Sequence, residues 1–216
     1  MADITIIGGH GKVALLLAPL LIERGDTVRS VIRDPDHTAD VERTGADAVV
    51  LDVEKASTDR IAEVIAGSDA VVFSAGAGGG DPARTHAVDR DAAIRTIAAA
   101  QSADVRRFVM VSYLGAGPDH GTPEDSSFFP YAEAKAAADT ALRDSDLDWT
   151  VLMPGRLTLD EPTGSIDPDA TRAADNPGTS RANVALAAAA ALASPSSIHR
   201  DVPFTDGPVP IADALG

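Results

Sequence analysis

Three side chains in the second half of the chain have the types and the spacing for proton transfer. Tyr131 and Lys135 are four residues apart, so a helix would place them on one face. A lysine beside a phenol favours the phenolate and lowers the phenol's pKa. Such a tyrosine can give or take the proton that accompanies hydride transfer, and Ser112 could hydrogen-bond the substrate. We predict that Ser112, Tyr131 and Lys135 are catalytic; alternatively, Tyr131 only packs and Lys135 only binds a ribose.

A glycine-rich turn near the start of the chain could bind phosphates. The apolar run 4–7 precedes it, and a helix-like segment follows. Both Gly9-x-Gly11-x-x-Ala14 and Gly8-x-x-Gly11-x-x-Ala14 match dinucleotide-binding fingerprints, in which glycines make a tight turn and let the backbone approach the pyrophosphate. The phosphates would lie at a helix N-terminus, which favours negative charge. The residues predicted to bind this cofactor are Gly8, Gly9, His10, Gly11, Lys12 and Val13.

The residue after the second predicted strand should distinguish NAD from NADP. An acidic residue there binds the ribose 2′-hydroxyl of NAD, whereas a basic one accommodates the 2′-phosphate of NADP. Arg33 occupies this place, with His10 and Lys12 as possible allies, so we predict NADP(H) rather than NAD(H). A small backbone shift would instead put Asp34 on the ribose.

Two further segments are predicted to contact the cofactor. Asp52 and Val53, after the third predicted strand, could bracket the adenine, unless Asp52 only caps the next helix. A second glycine-rich loop, 75–80, follows the fourth strand, and its bare backbone would let the cofactor lie against the strand ends. Ala75, Gly76 and Ala77 are the predicted contacts, the alternative being a flexible surface loop.

Strand-like and helix-like segments alternate along the whole chain. This order predicts an α/β fold with a doubly wound parallel sheet, a Rossmann fold. We expect one domain over 1–216, with a core of about 1–154 and smaller elements in 155–216 on the substrate side. Within these, 157–177 is predicted to form a lid or cleft wall, and Ser180 to cap a helix over 181–193.

The composition excludes several classes of function. A net charge of −15 and a pI near 4.5 disfavour binding to nucleic acid or to anionic membranes. The chain has no cysteine, no long apolar run and no signal-like start, so a cytoplasmic protein is expected. Its five histidines are scattered, and no metal site is predicted.

These motifs together resemble the atypical short-chain dehydrogenase/reductase superfamily, of the small NAD(P)H-binding type that includes NmrA-like and flavin reductase-like proteins. The resemblance rests on segments 8–14, 33–35, 74–78, 131–135 and 154–158, together with Ser112. It implies that Lys135 contacts the nicotinamide ribose as well as tuning Tyr131. It also implies that Pro154, Gly155, Arg156 and Leu157 lie along the nicotinamide.

The leading hypothesis is an NADP(H)-dependent oxidoreductase that acts on a small carbonyl, quinone or similar acceptor, with Tyr131 as the acid/base. One alternative is a non-catalytic NADP(H)-binding sensor or regulator, and another is an epimerase that retains its cofactor. The expected partner is a small-molecule substrate, and the protein is expected to be a monomer or a homodimer.

Overall fold

Parallel strands form the centre of the molecule. The computed structural model describes residues 1–78, 81–171 and 178–216, and among them nine strands form one sheet in the order β11-β8-β10-β6-β5-β4-β1-β2-β3. A separate pair is formed by β7 and β9. The strands are β1 (Asp3–Ile7), β2 (Thr27–Ile32), β3 (Asp47–Val50), β4 (Ala70–Phe73), β5 (Arg107–Val111), β6 (Asp148–Pro154), β7 (Leu157–Thr158), β8 (Ser165–Asp167), β9 (Thr179–Ser180), β10 (Arg200–Asp206) and β11 (Val209–Pro210).

The strand order changes direction at β1. This strand pairs in parallel with β2 on one side and with β4 on the other, so that Ile7 lies opposite both Val31 and Phe73. In the order of the sheet, every neighbouring pair from β3 across β1 to β10 is parallel. At the other edge, β8 pairs antiparallel with both β10 and β11. In such sheets ligands bind in the crevice at the carboxyl ends of the strands where the order reverses. The predicted doubly wound sheet is confirmed.

Helices cover both faces of the sheet. The helices are α1 (Lys12–Glu23), α2 (Thr38–Glu42), α3 (Thr58–Ile65), α4 (Pro82–Thr85), α5 (Ala93–Ser102), α6 (Phe129–Arg143), α7 (Arg181–Ala193) and α8 (Ile211–Leu215). On one face α1 packs against α7, and Leu17, Leu21 and Ala188 are fully buried there. On the other face α3, α5 and α6 cover the sheet around Phe73 and Phe108. No helix in the described part of the chain could cross a membrane.

A π-helical turn, His86–Ala92, joins α4 to α5. The three pieces run continuously from Pro82 to Ser102, and the Asp81 side chain caps the start at Pro82. π turns are rare and occur frequently at functional sites. This π turn contains Asp89, whose carboxyl group is buried near the end of β4.

The C-terminal elements extend the sheet. As predicted, Ser180 caps α7 by accepting a hydrogen bond from the N–H of Asn183. The lid or wall predicted over 157–177 is described only as far as 171, because 172–177 lie outside the described residues. Within the described part, Ser165–Asp167 joins the main sheet as β8 instead of standing over the cleft. The division into a core of 1–154 and an appended 155–216 stays a prediction.

Candidate functional site

Two cavities lie side by side at the carboxyl ends of the strands. The smaller, of about 320 Å³, is lined by the glycine turn and by the ends of β2 and β3. The larger, of about 860 Å³, extends toward β5 and the start of α6. Ser74, Ala75 and Gly76 line both cavities and form their common wall. The two cavities therefore make one cleft across the point where the strand order reverses.

The glycine turn forms the floor of the smaller cavity because no side chain fits there. A Cβ on Gly8, whose φ is +89°, would lie 2.6 Å from Cα of Ala75. A Cβ on Gly9 would lie 2.5 Å from Cβ of Ser30. Gly11 precedes α1, and among the described residues no side chain caps this helix end. Its first N–H groups thus remain available to an anion, which fits the pyrophosphate of a dinucleotide.

Arg33 lines the smaller cavity, and its contact with the adenosine ribose stays a prediction. Its side chain is 54% exposed, and Nη1 lies 3.7 Å from Oε2 of Glu54. Nε of Arg84 lies 3.4 Å from the same carboxylate oxygen. Asp34 also lines this cavity, but its carboxylate accepts the N–H of Asp36 and caps the turn after β2. Asp34 is therefore already engaged within its own turn.

Asp52 and Val53 also line the smaller cavity, where the sequence placed an adenine. The alternative role of Asp52 as a helix cap is wrong, because Ser57 caps α3 and Asp52 accepts the N–H of Glu54. Glu54 and Arg84 were missed by the sequence interpretation. Glu54 lies in the turn after β3 and Arg84 lies in α4, thirty residues further along the chain, so no local pattern marked them.

Two histidines stack at the smaller cavity. The ring centroids of His10 and His37 are 3.6 Å apart with 11° between the planes. Nε2 of His10 is 2.9 Å from a carboxylate oxygen of Asp40, which also pairs with Arg43. His10 was predicted as a cofactor contact, whereas His37 was missed because it lies in a short turn after Pro35 without any motif.

The common wall of the cleft is held by Asp89. Its Oδ2 accepts the N–H of Ala77 at 3.0 Å, and a Cβ on Gly76 would lie 3.1 Å from its Oδ1. Burial raises the pKa of Asp89, while the Ala77 N–H and the charge of Lys135 oppose that rise. Ala75 and Gly76 thus line the cleft as predicted, and Ala77 instead anchors the loop. The end of the predicted loop, Gly79 and Gly80, lies outside the described residues.

The larger cavity brings Ser112, Tyr131 and Lys135 together. Oγ of Ser112 donates a hydrogen bond to Oδ2 of Asp139 at 2.5 Å. The Lys135 side chain is buried, and its Nζ donates to the carbonyl of Val111 at 2.9 Å. Asp139 was missed, although its position four residues after Lys135 extends the same face of α6. The predicted residues therefore share a site, but Ser112 and Lys135 each already have a protein partner.

The expectation that Lys135 lowers the pKa of Tyr131 is wrong. Burial raises the pKa of Tyr131 well above the ordinary value for a phenol, and the negative charges of Asp89 and Asp139 raise it further. Burial also raises the pKa of Asp139, whose other oxygen, Oδ1, has no hydrogen-bond partner within the described ranges. Because burial disfavours the charged phenolate, Tyr131 stays a neutral phenol at physiological pH.

An aromatic surface forms one wall of the larger cavity. Phe128 and Tyr131 line it with ring centroids 5.1 Å apart, and the Phe128 side chain is 40% exposed. Tyr113 packs behind both rings without lining the cavity itself, with centroids at 5.1 Å from Phe128 and 5.5 Å from Tyr131. A flat apolar group could lie against this wall beside the Tyr131 hydroxyl.

The remaining predicted contacts divide between the cleft and its surroundings. Val13 and Leu157 line the larger cavity. Pro154 and Gly155 line neither cavity; Pro154 pairs with Phe204 in the sheet, and Gly155 donates its N–H to the carbonyl of Phe204. Gly9, Lys12, Ala77 and Arg156 also stand outside both linings.

Known proteins resemble this chain over its full length. A family model described as NAD(P)H-binding matches residues 8–195. A Bacillus subtilis protein named uncharacterized sugar epimerase YhfK is 34% identical over 212 residues, with 97% of each chain covered. A solved Bacillus halodurans structure, provisionally named an NAD-dependent epimerase/dehydratase, has a TM-score of 0.90 and 29% identity over 100% of this chain and 99% of that one. The oxidoreductase ylbE from Lactococcus lactis has a TM-score of 0.84 and 25% identity, covering 99% and 94%.

Proposed function

The chain belongs to the NAD(P)H-binding family, and on this premise we propose that it is an NADP(H)-dependent oxidoreductase acting on a small carbonyl, quinone or similar acceptor. One observation carries the proposal: Ser112, Tyr131 and Lys135 line a cavity that shares a wall with the cavity over the glycine turn. A cofactor lying across that wall would bring its reactive ring to the three side chains.

The residues of the smaller cavity would hold the adenosine half of the cofactor. Arg33 and the two stacked histidines favour a 2′-phosphate, while the carboxylate of Asp34 is engaged by its own turn. The uncapped start of α1 would bind the pyrophosphate. When bound, NADPH supplies the hydride, and the protein supplies its position and the accompanying proton.

Tyr131 is proposed as the proton donor for reduction. Its raised pKa keeps the proton on the phenol until an acceptor oxygen gains negative charge. The Ser112 hydroxyl donates its hydrogen bond to Asp139, so its oxygen is proposed to accept a hydrogen bond from the hydroxyl group of the reduced product. Lys135 donates to the Val111 carbonyl and to Sδ of Met110, and the remaining hydrogen of its ammonium group is proposed to bind a ribose hydroxyl.

The aromatic wall supports a flat acceptor. Phe128 and Tyr131 present apolar ring area beside the phenolic hydroxyl, and stacking against such rings contributes about 0.5–1.5 kcal/mol beyond the area buried. A quinone or a conjugated carbonyl compound would satisfy both the ring surface and the proton donor.

The test compares two tyrosines that differ in their access to the cavity. Tyr131→Phe should lower kcat for an NADPH-dependent reduction by about 10²–10⁴-fold, while the Kd for NADPH changes by less than about twofold. Tyr113→Phe removes the phenol behind the wall and should keep kcat within about threefold of the wild type. Equal activity in Tyr131→Phe and the wild type would exclude the proposed role of Tyr131.

An epimerase that retains its cofactor is the second candidate, favoured by the names of two of the similar proteins. Such an enzyme would co-purify with cofactor and would interconvert a substrate without net consumption of NADPH. Steady NADPH oxidation that requires an acceptor would reject it. Binding of the cofactor without turnover of any substrate would instead favour a sensor.

A further inference from the structure

The stacked histidines come from two segments that meet at the rim of the smaller cavity. His10 belongs to the glycine turn, and His37 ends the short turn that follows β2. Both line the same cavity as Arg33, and their rings lie nearly parallel at a centroid distance of 3.6 Å. This arrangement holds two ionisable imidazoles beside the arginine expected to face the ribose.

Carboxylates compete for positive charge in this cavity. Glu54 lies between Arg33 and Arg84, and Asp34 and Asp52 line the same space. Arg33 is therefore partly neutralised within the protein. A 2′-phosphate with a charge approaching −2 requires more positive charge than this arginine alone provides.

The histidine pair can supply that additional charge. The charge of a histidine side chain changes between about pH 5 and 8. Two positively charged rings in contact repel each other, and an anion beside them reduces this repulsion. Nε2 of His10 lies 2.9 Å from a carboxylate oxygen of Asp40, and the same carboxylate pairs with Arg43. Phosphate binding and protonation of the rings should consequently support each other.

We infer that His37, stacked on His10, is a specificity-determining residue that binds the 2′-phosphate of NADP(H) and makes the preference for NADP over NAD stronger at lower pH. The inference rests on the proposed use of NADP(H). NAD lacks the 2′-phosphate, so its affinity should not depend on the pair.

The experiment measures Kd for NADP⁺ and for NAD⁺ by calorimetry at about pH 6.5 and about pH 8.5, with the wild type and with His37→Ala. In the wild type the preference for NADP⁺ should fall by about three- to tenfold between the two pH values. His37→Ala should weaken NADP⁺ binding about tenfold at the lower pH, change NAD⁺ binding by less than about twofold, and make the preference depend less on pH than it does in the wild type. Retained NAD⁺ binding shows that the variant is folded.

Two further variants sharpen the outcome. His37→Arg carries a permanent charge and should restore NADP⁺ affinity at the higher pH. His86→Ala removes a histidine that lines neither cavity and should behave as the wild type. An unchanged preference and pH dependence in His37→Ala would overturn the inference while NADP(H) binding stands. Failure of the wild type to bind either cofactor would reject the proposed function, and the inference with it.

Discussion

The two halves of the cleft are built differently. The smaller cavity is lined by backbone, by exposed side chains such as Arg33 and by charges paired with one another. The predicted catalytic residues of the larger cavity include the buried side chains of Lys135 and Ser112, and both already have hydrogen-bond partners in the protein. The comparison teaches that the binding half depends on shape and surface charge, whereas the reacting half depends on burial. Variants in the two halves should therefore fail in different ways.

The largest effect is expected from closing the space over the glycine turn. Gly8→Ala puts a Cβ 2.6 Å from the Ala75 backbone at a φ of +89°, so we expect about 3 kcal/mol lower stability and at least about hundredfold weaker NADPH binding. Chemical denaturation and calorimetry measure the two effects.

Gly67→Ala is the matched control for that change. Gly67 has a φ of +75°, but a Cβ added there would meet no atom of the described residues within 4 Å, so only backbone strain of about 1 kcal/mol should appear. Equal losses in both variants would show that the turn does not depend on close approach to the Ala75 loop.

Arg33→Ala tests the charged rim of the smaller cavity. Loss of a phosphate contact should weaken NADPH binding about tenfold, and NADH binding should change by less than about twofold because NADH has no 2′-phosphate. Parallel calorimetric titrations distinguish the two. If the variant binds NADPH and NADH equally more weakly, Arg33 contacts a group that the two cofactors share. The assignment of Arg33 to the 2′-phosphate is then incorrect.

Asp139→Asn tests the buried half. The raised pKa of Asp139 means that the folded protein loses stability as the pH rises above the carboxyl's unfolded value, because ionisation then costs more in the folded state. The variant keeps an acceptor for Ser112 without the charge, so we expect it to gain roughly 1 kcal/mol of stability at neutral pH.

The corresponding measurement is denaturation of the wild type and of Asp139→Asn across acidic to neutral pH. The two curves should converge at low pH, where the wild-type carboxyl is protonated, and separate as the pH rises. A variant that is less stable at every pH would show that the ionised carboxylate stabilises the fold.

The smallest effect is an expected absence of change. Because burial raises the pKa of Tyr131, the rate of reduction should show no fall from phenol ionisation between about pH 7 and about pH 9. The pH profile of kcat measures this. A basic limb in that interval that disappears in Tyr131→Phe would show that the phenol ionises readily, as a lysine-activated tyrosine would.

The sequence predicted best what depends on order and on backbone. Alternating strands and helices predicted the doubly wound sheet, and the resemblance to NAD(P)H-binding proteins is confirmed by the matching family. Gly8 and Gly11 line the cleft, because a tight turn between a strand and a helix is a local property, and their contact with a cofactor stays a prediction. Ser112, Tyr131 and Lys135 line one cavity, and their catalytic role stays a prediction.

The sequence could not predict what depends on burial and on distant partners. Burial raises the pKa of Tyr131, and so do the carboxylates of Asp89 and Asp139, which lie on two separate helical segments. Asp89 lies in a π turn, which the hydrophobic periodicity of the sequence did not predict. Asp89 holds the Ala77 N–H across a loop. Likewise, Pro154 was expected at the nicotinamide from family resemblance alone, yet its strand pairs it with Phe204.

The π turn has a consequence for how this protein can change in length. A π turn is equivalent to one extra residue in an α-helix, and each residue advances an α-helix by about 100°. A single-residue deletion in His86–Ala92 could therefore leave a regular helix and the hydrophobic core on one side intact while rotating Asp89 away from the Ala77 N–H. Relatives that gained or lost one residue here would hold the common wall of the cleft by another contact, even with every glycine in place.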